Sequence, residues 1–172
     1  MQTHEIGPLI ARLLSELVDG AAPGGDAYIL NSGDAGLLRS LDKLDAGEAS
    51  RSTNGGATIA AHAQHVRYGL SLMNRWSREG ASAFANPAWD EPWKISTVDE
   101  AAWREIRDGL RGEAERWSGV LTSPREVTAV ELTGLMSSVA HLAYHLGAIR
   151  QINKDARGPK EGTFPHPRDA SA

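Results

Sequence analysis

The sequence predicts an all-α fold, a four-helix bundle with a long crossover between its second and third long helices. Three observations carry this. Apolar residues recur mostly at i, i+3, i+4 and i+7 spacing, the period of a helix face. Alternating β-branched runs are nearly absent, and irregular Pro- and Gly-bearing stretches separate four apolar seams. A chain of 172 residues fits one domain with a sizeable core. We place the helical domain at residues 1–156 and an irregular tail at 157–172, where Pro159, Pro165 and Pro167 stand and Phe164 is the residue suited to docking.

In the first long helix, Ile6, Leu9, Ile10, Leu13, Leu14, Leu17 and Val18 form a broad stripe. Thr3 is a candidate N-cap, Gly20 the stop, and Pro8 is tolerated in the opening turn, where a backbone N–H lacks a helical partner anyway. After Pro23-Gly24-Gly25, Leu37, Leu41 and Leu44 mark a short helix capped by Ser32 or Asp34, and Ala46 to Gly56 reads as a loop. The second long helix runs from about Thr58 to Arg78. Ile59, His62, His65, Val66, Gly69, Leu70, Leu72, Met73 and Trp76 share one face, opposite Arg67, Asn74, Arg75 and Arg78. Gly80 to Thr97 is the crossover, whose Trp89 and Trp93 imply packing onto the bundle. The third helix begins near Asp99 and turns Trp103, Ile106, Leu110, Trp117 and Leu121 inward, with Glu100–Arg104 and Arg111–Glu115 as exposed i,i+4 pairs. The fourth runs from roughly Ala129 to Asp155 on a seam of Leu135, Val139, Leu142, Leu146 and Ile149, and Gly158-Pro159 ends it.

Composition excludes whole classes of chemistry. With Cys 0 there is no disulfide, thiolate metal site or protein thiol nucleophile, and any metal must be held by His, Asp or Glu. A net charge of -4 argues against a nucleic-acid-coating protein, and no apolar run is long enough to span a bilayer. Residues 1–20 lack the pattern of a secretory signal, so a cytoplasmic address is expected. No Gly-rich phosphate loop or Ser-His-Asp arrangement is present.

Four of the 6 histidines form two close pairs: His62 and His65 at i,i+3, and His141 and His145 at i,i+4. Residues at those spacings project from one helix face, so each pair can aim two imidazoles at one point, which is how metal sites in helical bundles are built. A single His on an apolar face is more often a packed residue hydrogen-bonded to a neighbour. Two pairs on or beside inward faces bring the cation reading level with that one, because several buried imidazoles without a cation would leave lone pairs and donors seeking partners. Tyr68 and Tyr144 point away from the His faces and read as packing. Arg150 either meets an anionic substrate or complements its helix C-terminus, the latter being favoured. Trp76, Trp103 and Trp117 read as core, Trp89 and Trp93 as core, the mouth of a pocket or an interface, and His4 and His166 as solvated.

The segment Thr58-Ile-Ala-Ala-His-Ala-Gln-His65-Val resembles the second-helix signature of DinB-like (YfiT-like) proteins, with a Ser or Thr opening the helix and a His seven positions later. Val139-Ala-His141-Leu-Ala-Tyr-His145-Leu-Gly147-Ala-Ile149-Arg-Gln151 is similar to the fourth-helix signature, and is the most specific part. The stretch from Trp89 through Trp93-Lys94-Ile95 to Trp103 resembles the Trp-bearing connection of one branch. The resemblance covers about residues 5 to 155. It implies a DinB-like bundle, often a homodimer, holding a divalent metal, zinc or nickel, by His65, His141 and His145. His62 has no counterpart in that motif, and is a fourth ligand, a residue behind the ligands, or a core histidine.

Three imidazoles on a divalent ion leave a position open for chemistry. The resemblance implies thiol-dependent transfer or isomerisation of a small-molecule substrate with a low-molecular-weight thiol cosubstrate. Metal-dependent hydrolysis is the alternative reaction. A non-catalytic binding or stress-related bundle, with a structural metal or none, is the alternative class, and the scaffold alone fixes neither. No catalytic residue is assigned.

Overall fold

The computed structural model describes residues 3–156, in which six α-helices follow one another. They are α1 (Ile6–Asp19), α2 (Gly36–Leu41), α3 (Ala46–Ala49), α4 (Ile59–Glu79), α5 (Glu100–Thr122) and α6 (Ala129–Ile152). The expected tail, with Phe164 and His166, lies outside the described residues. Among the described residues no helix is long and apolar enough to cross a membrane.

Each long helix after the first opens on an oxygen-bearing side chain in extended conformation. Thr58 accepts from Ala61 N, Asp99 from Ala102 N and Thr128 from Glu131 N, at 3.1, 2.8 and 3.2 Å. Each such cap is worth about 1 kcal/mol. At Thr128 the Glu131 carboxylate reaches back to the Thr128 N–H at 2.7 Å, completing a capping box.

The four long helices pack around one apolar core. Close contacts run α4 on α5, α4 on α6, α1 on α5 and α1 on α6, so α1 stands across the bundle from α4, and α5 from α6. Trp103 and Trp117 are fully buried, and each indole N–H finds an acceptor: Leu44 O at 2.8 Å and Ser138 Oγ at 2.9 Å. The predicted inward residues of α5 and α6 are all buried. Gly7 lets α1 approach α5 closely, since a Cβ there would stand 2.2 Å from Leu121 O.

Several expectations need correcting. Thr3 does not cap α1. It is buried, donates from Oγ1 to Arg125 O at 3.0 Å and accepts from Arg125 N at 2.9 Å, fastening the start of the chain beside the α5–α6 turn. Neither Ser32 nor Asp34 is the N-cap of α2, which is Ala35; Asp34, one residue earlier, accepts from Gly36 N at 3.1 Å. The loop expected at 46–56 begins with α3, held by a capping box between Asp45 and Glu48. Asn74 is buried, not solvent-facing, because its Nδ2 donates to Glu113 O and Oε2 at 3.0 and 2.7 Å. The exposed pairs expected on α5 are replaced by longer-range partners: Glu100 accepts from Ala46 N at 2.8 Å, and Arg111 binds Asp42 at 3.1 Å. Buried Glu16 gathers the N–H groups of Tyr28, Ile29 and Leu30 onto one carboxylate.

Residues 80–99 join α4 to α5 through two 3-10 turns, Gly80–Phe84 and Glu91–Lys94. The second turn packs on α4, which brings Trp89 and Trp93 over the histidine-bearing end of the helix.

Candidate metal centre

The packing of α4 against α6 brings the two histidine pairs face to face. His141 Nε2 lies 3.2 Å from His65 Nε2 and 2.9 Å from His145 Nε2. One nitrogen from each of these three residues lies within 4.8 Å of the others. His62 stands behind them, its Nδ1 2.9 Å from His145 Nδ1. His65 and His145 are buried and His141 half-buried.

The donor set and spacing fit a cation. Nitrogens about 2.0–2.1 Å from a tetrahedral zinc stand about 3.3 Å apart, close to the two contacts seen here. Hydrogen bonds alone do not satisfy the arrangement. An imidazole Nε2 carries either one proton or one in-plane lone pair, yet His141 Nε2 faces two other Nε2 atoms at once. A cation there would resolve that conflict, since His65, His141 and His145 would each offer it an Nε2 lone pair and keep their proton on Nδ1. The Nδ1–H of His145 would then face His62 Nδ1 at 2.9 Å, an outer partner that would fix ring orientation. His65 Nδ1 is buried without a hydrogen-bond partner among the described residues, and its ring is clamped by Trp93, stacked at 4.4 Å between centroids and 29° between planes.

Burial sets the charge state. Desolvation pushes His145 down to about 3 and His65 down to about 4, and neighbouring imidazoles, His141 foremost, add to both shifts. Desolvation also lowers His62 and His141 from the ordinary value. Neutral imidazoles are the form that binds metal, so the ligand nitrogens are prepared for a cation without first losing protons.

The remaining candidates fall elsewhere. Trp89 and Trp93 are 37% and 39% exposed, so they are not core; both lean on His65, with Trp89 centred 5.5 Å from its ring. Tyr68 accepts from Ala88 N at 2.8 Å and packs edge-on against Trp89, while Tyr144 is 70% exposed with its ring edge toward His145. Arg150 neither faces the site nor merely complements a helix end, because it forms a two-pronged pair with buried Asp34 at 2.5 and 2.9 Å. His4 is exposed beside Glu5. Sequence reasoning missed a cavity beside His141, walled by Phe84 and by the bare backbones of Gly69 and Gly134. Two glycines inside otherwise strong helices were the available signal.

In comparisons with protein-family models, curated proteins and solved structures, nothing matches this chain.

Proposed function

We propose that the chain is a DinB-like metal-binding bundle in which His65, His141 and His145 hold one divalent cation, zinc or nickel, and that it serves thiol-dependent transfer to a small-molecule electrophile. One observation carries the reading: three Nε2 atoms from two helices converge at ligand spacing. The Thr58 to His65 register, the HxxxH of α6 and the Trp-bearing 80–99 connection support the family reading from the sequence side.

A divalent ion with three protein ligands supplies Lewis acidity and keeps a position open for an exogenous ligand. The chain's own residues do the rest. His62 holds His145 in the tautomer that presents Nε2, and Trp93 lies on the rings and keeps water from one side. With Cys 0, the reacting sulfur must come from an external low-molecular-weight thiol. Among the described residues no carboxylate joins the three histidines, and His62 is the titratable group that stands against them. A homodimer is part of the proposal. α6 carries no charge from Leu132 to Ile149, and its Thr133, Met136, Ala140, Tyr144 and Gly147 are exposed, a face suited to a second copy of the chain.

The test is turnover of 1-chloro-2,4-dinitrobenzene with a panel of low-molecular-weight thiols by zinc- and nickel-loaded protein, wild type against His141→Ala. A rate above background that His141→Ala abolishes is expected. Equal rates in both proteins refute the enzyme reading and leave a non-catalytic metal bundle.

A further inference from the structure

Between α4, α6 and the Gly80–Phe84 turn lies a cavity of about 320 Å³ that shares His141 with the histidine cluster. Its walls are Val66, Leu70, Met73, Phe84, Trp89 and Leu142, and among the described residues no charged side chain lines it. Of its polar groups, Ser138 Oγ is already engaged, accepting from Trp117 Nε1 and donating to Leu135 O. That leaves the Ser137 hydroxyl at an exposed position and the His141 ring. The cavity is open on one side, and in the metal-free chain the part of a ligand seated against these walls meets no ionic partner, which favours an aromatic or alkyl group there.

Two glycines keep the space open. Glycine inside a helix costs about 1 kcal/mol relative to alanine, yet α4 carries Gly69 and α6 carries Gly134 on this cavity. A Cβ on Gly69 would lie 3.5 Å from His141 Cε1 and 3.9 Å from Trp89 Cζ3, ordinary contacts that the fold accepts but that fill the gap between those rings. A Cβ on Gly134 would press on the Trp76 ring at 3.1 Å. A dry apolar cavity of roughly 150 Å³ admits benzene. This one is about twice that size and is open to solvent on one side.

We propose that this cavity binds the uncharged aromatic or short-alkyl part of a small molecule, up to two fused rings, with the His141 ring as its end wall. Its role as the substrate chamber rests on the metal reading above; its capacity for an apolar ligand rests on its own lining. In the metal-free chain the specificity follows: neutral ligands are favoured over anionic ones of similar shape.

The full chain is titrated with 2-naphthol and with naphthalene-2-sulfonate by calorimetry, once in EDTA and once with zinc. One-to-one binding of 2-naphthol in both conditions is expected, with the sulfonate at least about tenfold weaker in EDTA. Gly69→Ala should weaken 2-naphthol several-fold and Gly69→Leu at least about tenfold, with thermal unfolding and zinc binding retained. Equal binding of the two probes in EDTA, no binding of 2-naphthol, or 2-naphthol affinity untouched by Gly69→Ala overturns the proposal. Gly69→Ala decides the matter even if Gly69→Leu fails to fold. Binding of 2-naphthol without zinc binding refutes the metal reading alone, and zinc binding without 2-naphthol refutes the cavity alone.

Discussion

Metal-free protein should lose stability between pH 7.5 and 5 through its buried histidines. His65 and His145 are 8% and 2% exposed and are held down to about 4 and about 3, so at pH 5 they remain neutral in the folded chain. In the unfolded chain an imidazole titrates near 6.5 and is almost fully protonated at that pH. The unfolded state therefore binds protons that the native state refuses. The stabilisation is complete above about 6.5 and is lost as pH falls from there toward 4 for His65 and 3 for His145. A gap of about 1.5 pH units below the unfolded value is worth about 2 kcal/mol per group, hence up to about 4 kcal/mol for the pair. Against a typical total of about 5–15 kcal/mol, that is a large fraction. Carboxylates titrate mainly below this window, so the histidines dominate it. Urea unfolding followed by tryptophan fluorescence in EDTA at pH 7.5, 6.5, 5.5 and 5.0 reads the effect directly. The midpoint should fall at each step below 6.5, and His145→Leu should flatten the trend. An unchanged or rising midpoint refutes the claim that these imidazoles are buried neutral.

Further outcomes follow from single contacts. Arg150→Met leaves the Asp34 carboxylate buried without its partner, and should cost about 3–5 kcal/mol in urea unfolding; a loss below about 1 kcal/mol would mean the pair is solvated. Gly7→Ala drives a Cβ to within 2.2 Å of Leu121 O and should lower Tm by several degrees, whereas Gly69→Ala, meeting only contacts of 3.5 Å or more, should hold or raise it. His62→Ala removes the acceptor behind His145 and should weaken zinc binding about 10–100-fold with the fold intact by circular dichroism; unchanged affinity would make His62 a packing residue.

Much of this architecture was legible in the sequence, because helix faces and caps are local properties. Thr58, Asp99 and Thr128 start helices where side-chain oxygens can meet orphan N–H groups, and the α5 and α6 seams follow from the 3.6-residue period. The two histidine pairs were legible for the same reason, since i,i+3 and i,i+4 spacing fixes a shared face before any tertiary contact exists. Period says which face turns inward but not which distant group meets it. Asn74 looked solvent-facing until α5 supplied Glu113, and Arg150 looked like a helix-end charge until the α1–α2 connection delivered Asp34. The Asp45-to-Glu48 capping box was readable, but its helix spans a single turn and carries too little periodicity to register. The cavity beside His141 is a property of three segments together, and its only local trace is glycine at positions 69 and 134.

The central claim is that three histidines from α4 and α6 converge on one cation. Calorimetric titration of the untagged, chelator-stripped chain with zinc, paired with elemental analysis of the purified protein, tests it most directly. We expect one zinc per chain, a gain of about 2.7 kcal/mol in unfolding free energy at zinc a hundredfold above Kd, and loss of both in His141→Ala. Absence of zinc and nickel binding, or binding that His65→Ala and His141→Ala leave unchanged, would contradict it.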